Sequence, residues 1–448
     1  MKDFEKYAKD LLNLNPTLRF IYGMRDKNTL SHIENNLDDN YINSLKAIID
    51  KYRNTKDIEL LNQIKTHDFY FNNKLFYLLF SSNDNFIIDF NYNTNNIYPP
   101  NDDFKLSRQT DFNNIVIEII KKAKQGIRFN ISYPKIIIKK FMNQIKNYKS
   151  LYQFLKKEYY PYCRNEIGIC YLKNGKEIYK QMIREHIGYL EITPEEIHKI
   201  GLESNLTKIV KGDYYKTRDD LYKDSVKYSK HIYNVLLDKY FHYKLDKPFV
   251  ISPVPKELEK SSPLGYYNDI ENSIFINLSR YNEVDKNELY SLLLHECSHY
   301  YHFAFMKHYN IPKYKIYIYS NDGLIEGFAH YMETYCENYD ENNVNTLLRK
   351  LRLVVDTGIN YYGWTYKQAL DYLNKYLPNR KKDNINEIDR YICNPAQSLC
   401  YLIGKIHIIK LRDIYLREGG NIKDFHQKLL INGVASFNEI NNKFAYNK

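Results

Sequence analysis

The chain has 448 residues, 44% of them hydrophobic and 27% charged, with 65 basic and 54 acidic side chains giving a net charge of +11. That length lies above the size at which a single core usually stops growing, so two or more lobes are expected, and the composition is ordinary for a soluble globular protein. The basic excess is too modest to mark a nucleic-acid binder, and no aromatic RNA-binding signature accompanies it.

Residues 1 to about 90 read as several helices broken by polar stretches, with amphipathic pieces near Phe4–Leu14 and Tyr41–Tyr52. The stretch 91–103, NYNTNNIYPPNDD, is rich in Asn and Pro and reads as a linker. It sets a boundary near 104 between an N-terminal helical region, 1–104, and a larger region, 105–448, that carries the chemistry. From Lys135 to Lys157 seven lysines are spread among apolar residues, the pattern of a solvated helix face. Helix-start signals then recur: Thr193 with Pro194 and Glu196, Asp285 with Glu288, Thr365 with Gln368, and Asn394 with Pro395 and Gln397. Among these helices the run Ser273–Leu278 (SIFINL) is β-prone and reads as a strand just ahead of the motif described next.

The segment from about Lys286 to His308 reads as a helix containing His295-Glu296-Cys297-Ser298-His299. Four residues bring His295 and His299 one turn apart on the same face, the spacing two imidazoles need to chelate one zinc ion. Glu296 lies beside them, placed to accept a proton from a water that the metal activates. A catalytic zinc site needs a third protein ligand and leaves its fourth position open. Glu326, on the second helix Asp322–Glu333, is 27 residues after His299 and suits an antiparallel return; it is the expected third ligand. Glu333, seven residues further on the same face, is a candidate acceptor for the far nitrogen of a ligand histidine. His302 lies about 10 Å of helix rise from His295, so those two cannot share a metal, whereas His299 with His302 could. The standard pair is preferred, and His330 is read as a structural histidine.

The six cysteines, 163, 170, 297, 336, 393 and 400, form no C-x-x-C pair and suggest reduced thiols. The N-terminus is charged throughout, and no run reaches about 18 uncharged apolar residues. A soluble, intracellular protein without a membrane partner is expected.

Beyond the motif, the chain resembles the group catalogued as domain of unknown function 885, regarded as zinc peptidases related to the gluzincins. The resemblance rests on residues 175–202, on Gly265-Tyr266-Tyr267 with the strand after it, and on EGFAHYMETY from Glu326. It continues through 352–373, 390–412 and 425–434. It implies a mainly α, zincin-like metallopeptidase with a deep cleft between two mostly helical lobes and a small β-sheet near the active-site helix, broadly similar to neurolysin and angiotensin-converting enzyme. Such clefts favour short peptides. The family's C-terminal block implies Arg390, Tyr391 and Tyr401 as groups that stabilise an oxyanion or grip a substrate carboxylate. Two departures stand out. Relatives usually carry Pro-Gly between the glutamate and the next histidine, and commonly a histidine where this chain has Asn360. The expectation is a zinc hydrolase with His295, His299 and Glu326 as ligands and Glu296 as general base, acting on short peptides and not on nucleic acid. The alternative is a catalytically inactive peptide-binding or scaffold protein of the same fold.

Overall fold

The computed structural model describes residues 2–14, 38–77, 105–146, 148–204, 206, 212–260, 262–269, 271–317, 321–336 and 343–445. Two compact units make up the chain: Met1–Ile183 with Val355–Tyr372 and Lys382–Ala396, and Arg184–Val354 with Leu373–Lys381 and Gln397–Lys448. The expected linker at 91–103 lies outside the described residues. The division does not follow a boundary at 104, because the helix Lys105–Arg128 belongs to the same unit as the N-terminal helices.

The first unit is helical. Its N-terminal amphipathic segments form the helices Lys2–Leu14 and Asp39–Lys51, which bury Phe4, Tyr7, Ile42 and Ile49. Within the lysine-rich stretch the helix Lys135–Gln144 buries Ile137, Ile138 and Phe141, and Lys140 pairs with Asp389 at 2.5 Å. The helix Tyr366–Tyr376 starts as its sequence suggests, with Gln368 N–H donating to Thr365 Oγ1 at 3.3 Å and Thr365 N–H donating to Gln368 Oε1 at 2.9 Å.

The second unit contains the sheet and the motif. The capping box predicted at Thr193 is complete there, with Thr193 Oγ1 accepting from Glu196 N at 3.2 Å and Glu196 Oε2 accepting from Thr193 N at 2.7 Å. Helix α1 (Arg218–His231) precedes three strands: β1 (Ile251–Pro253), β2 (Gly265–Asn268) and β3 (Ser273–Ile276). Their order is β1-β3-β2, with β3 parallel to β1 and antiparallel to β2. Every residue of β3 is buried, as befits the central strand of a sheet covered on both faces. Tyr266 and Phe275 are paired across β2 and β3, their rings stacked 5.2 Å apart.

Helix α2 (Lys286–His308) carries the motif. Asp285 caps it through Asn287 N at 3.0 Å, and it ends where Asn310 takes a positive φ of 50° and Ile311 N–H returns to Met306 O at 2.9 Å. Leu289, Leu293, Leu294, Tyr301, Phe305 and Met306 are all buried, so α2 is a core helix rather than a surface one. The expected box at its start does not close. Glu288 instead accepts from Val344 N at 2.7 Å, at the start of a later helix.

Helix α3 (Asp322–Met332) is capped by Asn321 through Leu324 N at 2.9 Å. Helix α4 (Val344–Asn360) and helix α5 (Cys400–Arg417) follow, with residues 344–354 of α4 and all of α5 in this unit. Pro395 does not open α5 as the sequence signal suggested. Ala396 takes a φ of 73° and a 3-10 turn, Gln397–Leu399, leads into the helix. Helices α3 and α5 cross backbone on backbone: a Cβ on Gly404 would stand 1.9 Å from Gly323 O, and one on Gly327 would stand 2.6 Å from Gly404 Cα. This crossing places Glu326 and Tyr401 on adjoining helices. Gly404→Ala is expected to destabilise the fold by about 3 kcal/mol or more, because backbone cannot move aside as a side chain can. Chemical denaturation of the variant beside the wild type checks this, and an unchanged midpoint would contradict it.

Candidate metal centre

The helical period brings the ring nitrogens of α2 together, and α3 returns a carboxylate to them. His295 Nε2 lies 3.2 Å from His299 Nε2 and 3.2 Å from Glu326 Oε2, and His299 Nε2 lies 3.5 Å from Glu326 Oε2. His295, His299 and Glu326 are the one group of such ligand atoms among the described residues. Nitrogen and oxygen atoms held at zinc bond lengths of 2.0–2.2 Å in a tetrahedron are separated by about 3.3–3.6 Å. The donor set and its spacing therefore fit a zinc-sized cation with little rearrangement.

Behind the triangle, His295 Nδ1 donates to Glu333 Oε1 at 2.8 Å. Glu333 is 1% exposed and also accepts from Ser291 Oγ at 3.2 Å, while the Arg349 guanidinium lies 2.9 Å from its Oε1. His330 Nδ1 stands 3.2 Å from the other carboxylate oxygen. Burial alone would depress the His295 imidazolium, yet its hydrogen bonds to Glu326 and Glu333 outweigh burial and raise its pKa to about 9. Burial would likewise push Glu326 up, but hydrogen bonds from His295 and His299 hold it well below the usual carboxylate range. For Glu333 the charge of Arg349 is the strongest opponent of burial, and it too is held well below that range.

Glu296 is buried beside the ligands, and its Oε2 accepts from Tyr267 N in β2 at 2.9 Å. Tyr401, at the start of α5, stacks its ring on His295 with centroids 6.2 Å apart and planes 18° apart. Arg349 and Arg352 flank the Tyr401 ring at 5.6 and 4.9 Å.

His302 is not part of the triangle. It is wholly buried against the Phe328 ring at 5.8 Å, and among the described residues neither of its nitrogens has a hydrogen-bond partner. Burial, then the neighbouring His299, lowers its pKa to about 3, so it packs as a neutral ring. Arg390 and Tyr391 lie in the first unit, where Tyr391 is fully buried and its hydroxyl donates to Glu387 at 2.6 Å, and Arg390 stands 3.7 Å from Glu387.

The family described as bacterial protein of unknown function (DUF885) matches residues 207–443, just over half of the chain. The chain belongs to this family. A DUF885 assignment agrees with most of the stretches that carried the resemblance, although residues 175–202 precede the matched segment. No curated protein matches the chain significantly. Among solved structures, a candidate lipoprotein from Colwellia psychrerythraea is similar over 100% of both chains, with a TM-score of 0.79 at 18% identity. A candidate lipoprotein of unknown function from Shewanella oneidensis is similar over 98% of both, with a TM-score of 0.57 at 17% identity. These likenesses concern the fold. Among the described residues no helix is long and apolar enough to cross a membrane.

Asn360 is a structural residue in this chain. Its Oδ1 accepts from Ile169 N at 3.2 Å, and its Nδ2 donates to Asp356 Oδ1 at 3.1 Å and Tyr391 O at 2.9 Å. The sequence reading missed Ser291, Arg349, Arg352 and the Tyr267 N–H. Of these only Ser291, one turn before His295 on the same helix, stands at a spacing that could have marked it.

Proposed function

We propose that this DUF885 member is a zinc-dependent, zincin-like peptidase that hydrolyses short peptides. The observation that carries the reading is the near-equilateral triangle of His295, His299 and Glu326 atoms, 3.2–3.5 Å on a side, with Glu296 next to His295 on the helix. A zinc ion held there would supply Lewis acidity toward the scissile carbonyl and lower the pKa of water. Glu296 takes the proton from the attacking water and returns it to the leaving amine. Its carboxylate is aimed by the Tyr267 N–H. In the register of β2 with β3, Asn277 N–H reaches Leu264 O, so Gly265 and Tyr267 turn their backbone groups to the side of β2 away from β3. The Tyr267 N–H there is taken by Glu296, and the Gly265 backbone groups offer an extended peptide main-chain hydrogen bonds beside it. Tyr401, stacked on His295, is the candidate donor to the developing oxyanion; Arg390 and Tyr391 remain candidates from the family resemblance alone.

Metal analysis of purified protein, followed by a short-peptide library read by mass spectrometry, tests the proposal. Bound zinc with cleavage of short peptides and resistance of folded proteins is expected. Zinc without cleavage would favour an inactive peptide-binding scaffold, and no zinc at all would sink the reading. An intracellular setting belongs to the same reading, carried by six cysteines that are all thiols, whereas the two solved neighbours are described as candidate lipoproteins. Cell fractionation separates the two settings.

The pH dependence follows from the shifts at the site. His295 is raised from 6.5 to about 9, so its contribution to the metal-free fold is complete below pH 6.5 and is lost as pH rises through 9. Glu288, raised chiefly by burial from 4.5 to about 7, loses its contribution over a lower window, from pH 4.5 through 7, and so draws the optimum toward its acid end. The depressed Glu326 and Glu333 act the other way: they stabilise above their unfolded value of 4.5 and that contribution is lost in acid. Metal-free protein should therefore melt highest between about pH 4.5 and 6.5. Zinc must displace the His295 proton, so the rise in melting midpoint on adding zinc should grow from pH 6.5 to 9. Thermal melts with and without zinc across this range check both trends; a zinc increment that shrinks with pH would contradict them.

A further inference from the structure

We propose that Arg349 is a positioning residue for the metal: its guanidinium fork fixes the Glu333 carboxylate, and Glu333 fixes the His295 ring. The inference rests on the zinc reading above and deepens it. His295 has one nitrogen for the metal triangle and one for an anchor. Its Nε2 faces Glu326 and His299, and its Nδ1 donates to Glu333 Oε1 at 2.8 Å. The direction of Nε2 is thus set by where Glu333 sits. A carboxylate at the end of a two-carbon stem would rotate among its donors unless something held both oxygens.

Arg349 does so. One guanidinium nitrogen lies 2.9 Å from Glu333 Oε1, and Nη1 donates to Oε2 at 3.4 Å. The planar guanidinium thus faces both carboxylate oxygens, with one hydrogen bond and one close ion contact, a placement that a lysine ammonium cannot reproduce. The other groups around Glu333 are Ser291 Oγ at 3.2 Å, His330 Nδ1 at 3.2 Å and His295 itself. Of these neighbours only Arg349 carries a permanent charge. Once His295 binds a metal as a neutral ring, the guanidinium is what keeps a buried anion aligned behind it. Arg349 also lies 3.4 Å from His295 Nδ1, a contact rather than a second hydrogen bond, because that nitrogen spends its hydrogen on Glu333.

Helix α4 is itself tied to the metal helix. Glu288, seven residues before His295 on α2, accepts the N–H of Val344, the first residue of α4, at 2.7 Å. Arg349 follows five residues later, about 7.5 Å along the axis. Helix α2 therefore holds the start of α4, and α4 returns a side chain to the back of the α2 ligand. The closed circuit fixes the distance between fork and ring without help from the metal.

The test uses the whole chain with Arg349→Met, Arg349→Lys, Glu333→Gln and the Arg349→Met/Glu333→Gln pair. Zinc dissociation constants are measured by chelator competition, and the visible spectrum of cobalt-loaded protein reports ligand geometry. Arg349→Met should weaken zinc by about 10–100-fold and alter the cobalt spectrum. Arg349→Lys, which keeps the charge and loses the fork, should fall between Met and wild type. In the Glu333→Gln background Arg349→Met should add little, since its effect passes through that carboxylate. Wild-type zinc affinity in a folded Arg349→Met protein would overturn the inference, as would a full additional loss in the double variant. If Arg349→Met does not fold, Arg349→Lys decides: a loss of about threefold or more supports the proposal and wild-type affinity refutes it. Failure of the wild type to bind zinc would count against the peptidase reading instead, so the two are separable.

Discussion

Replacing Glu296 with glutamine should leave zinc binding and folding as in the wild type while peptide hydrolysis falls by about 10²–10⁴-fold, the usual worth of a positioned general base. The substitution is isosteric, and the glutamine amide oxygen can still accept the Tyr267 N–H that now reaches Glu296 Oε2 at 2.9 Å. What glutamine cannot do is take a proton from water. Since Glu296 is not among the three clustered ligands, metal affinity should stay within about twofold of wild type in the same chelator competition. Turnover of a peptide identified from the library, measured on zinc-loaded protein, reads the difference. Activity within threefold of wild type would remove Glu296 from the chemistry, and with it the main reason to read a hydrolase in the motif.

The clustering of His295, His299 and Glu326 was legible because it follows from helical period. Four residues on one helix fix the relation of His295 to His299 whatever surrounds them, and a carboxylate 27 residues on can return antiparallel. Glu333 was legible for the same reason, one step removed. Capping was legible where both partners lay in one turn, as at Thr193 and Thr365, and misled where tertiary structure claimed a side chain. Glu288 has the position of a box glutamate at the start of α2, yet it leaves its own helix to hold Val344 N. Asn394 and Pro395 look like a helix start, but Ala396 N–H is held by the buried Asp356 carboxylate at 3.1 Å, and the helix begins later. Two contributions carried no local signal at all. Tyr267 acts through its backbone N–H, so its side chain says nothing about the role. Arg349 comes from a helix 54 residues beyond His295 whose sequence reads simply as amphipathic. Division into units was illegible for a related reason: residues 355–372 and 382–396 join the N-terminal unit from far along the chain, and no composition shift marks that return.

His299→Ala and His302→Ala should part company sharply, although both remove an imidazole from the same stretch of α2. His299 supplies one corner of the triangle. A four-ligand zinc site worth about 10–16 kcal/mol shares out at roughly 3–4 kcal/mol per ligand, so losing one should weaken zinc by about 10²–10³-fold and cut the stabilisation by added zinc correspondingly. His302 is a packing residue, wholly buried beside Phe328, with both ring nitrogens lacking a partner among the described residues. Truncating it opens a cavity at a cost of about 2–4 kcal/mol, partly offset by removing polar atoms that were buried without hydrogen bonds. The net effect expected is a fold weaker by about 1–3 kcal/mol that still takes up one zinc ion and is still stabilised by it. Zinc content together with melting curves, with and without added metal, reads both variants on one scale. If His302→Ala lost zinc while His299→Ala kept it, His302 would be the ligand in place of His299, and the triangle assembled from α2 and α3 would be the wrong centre.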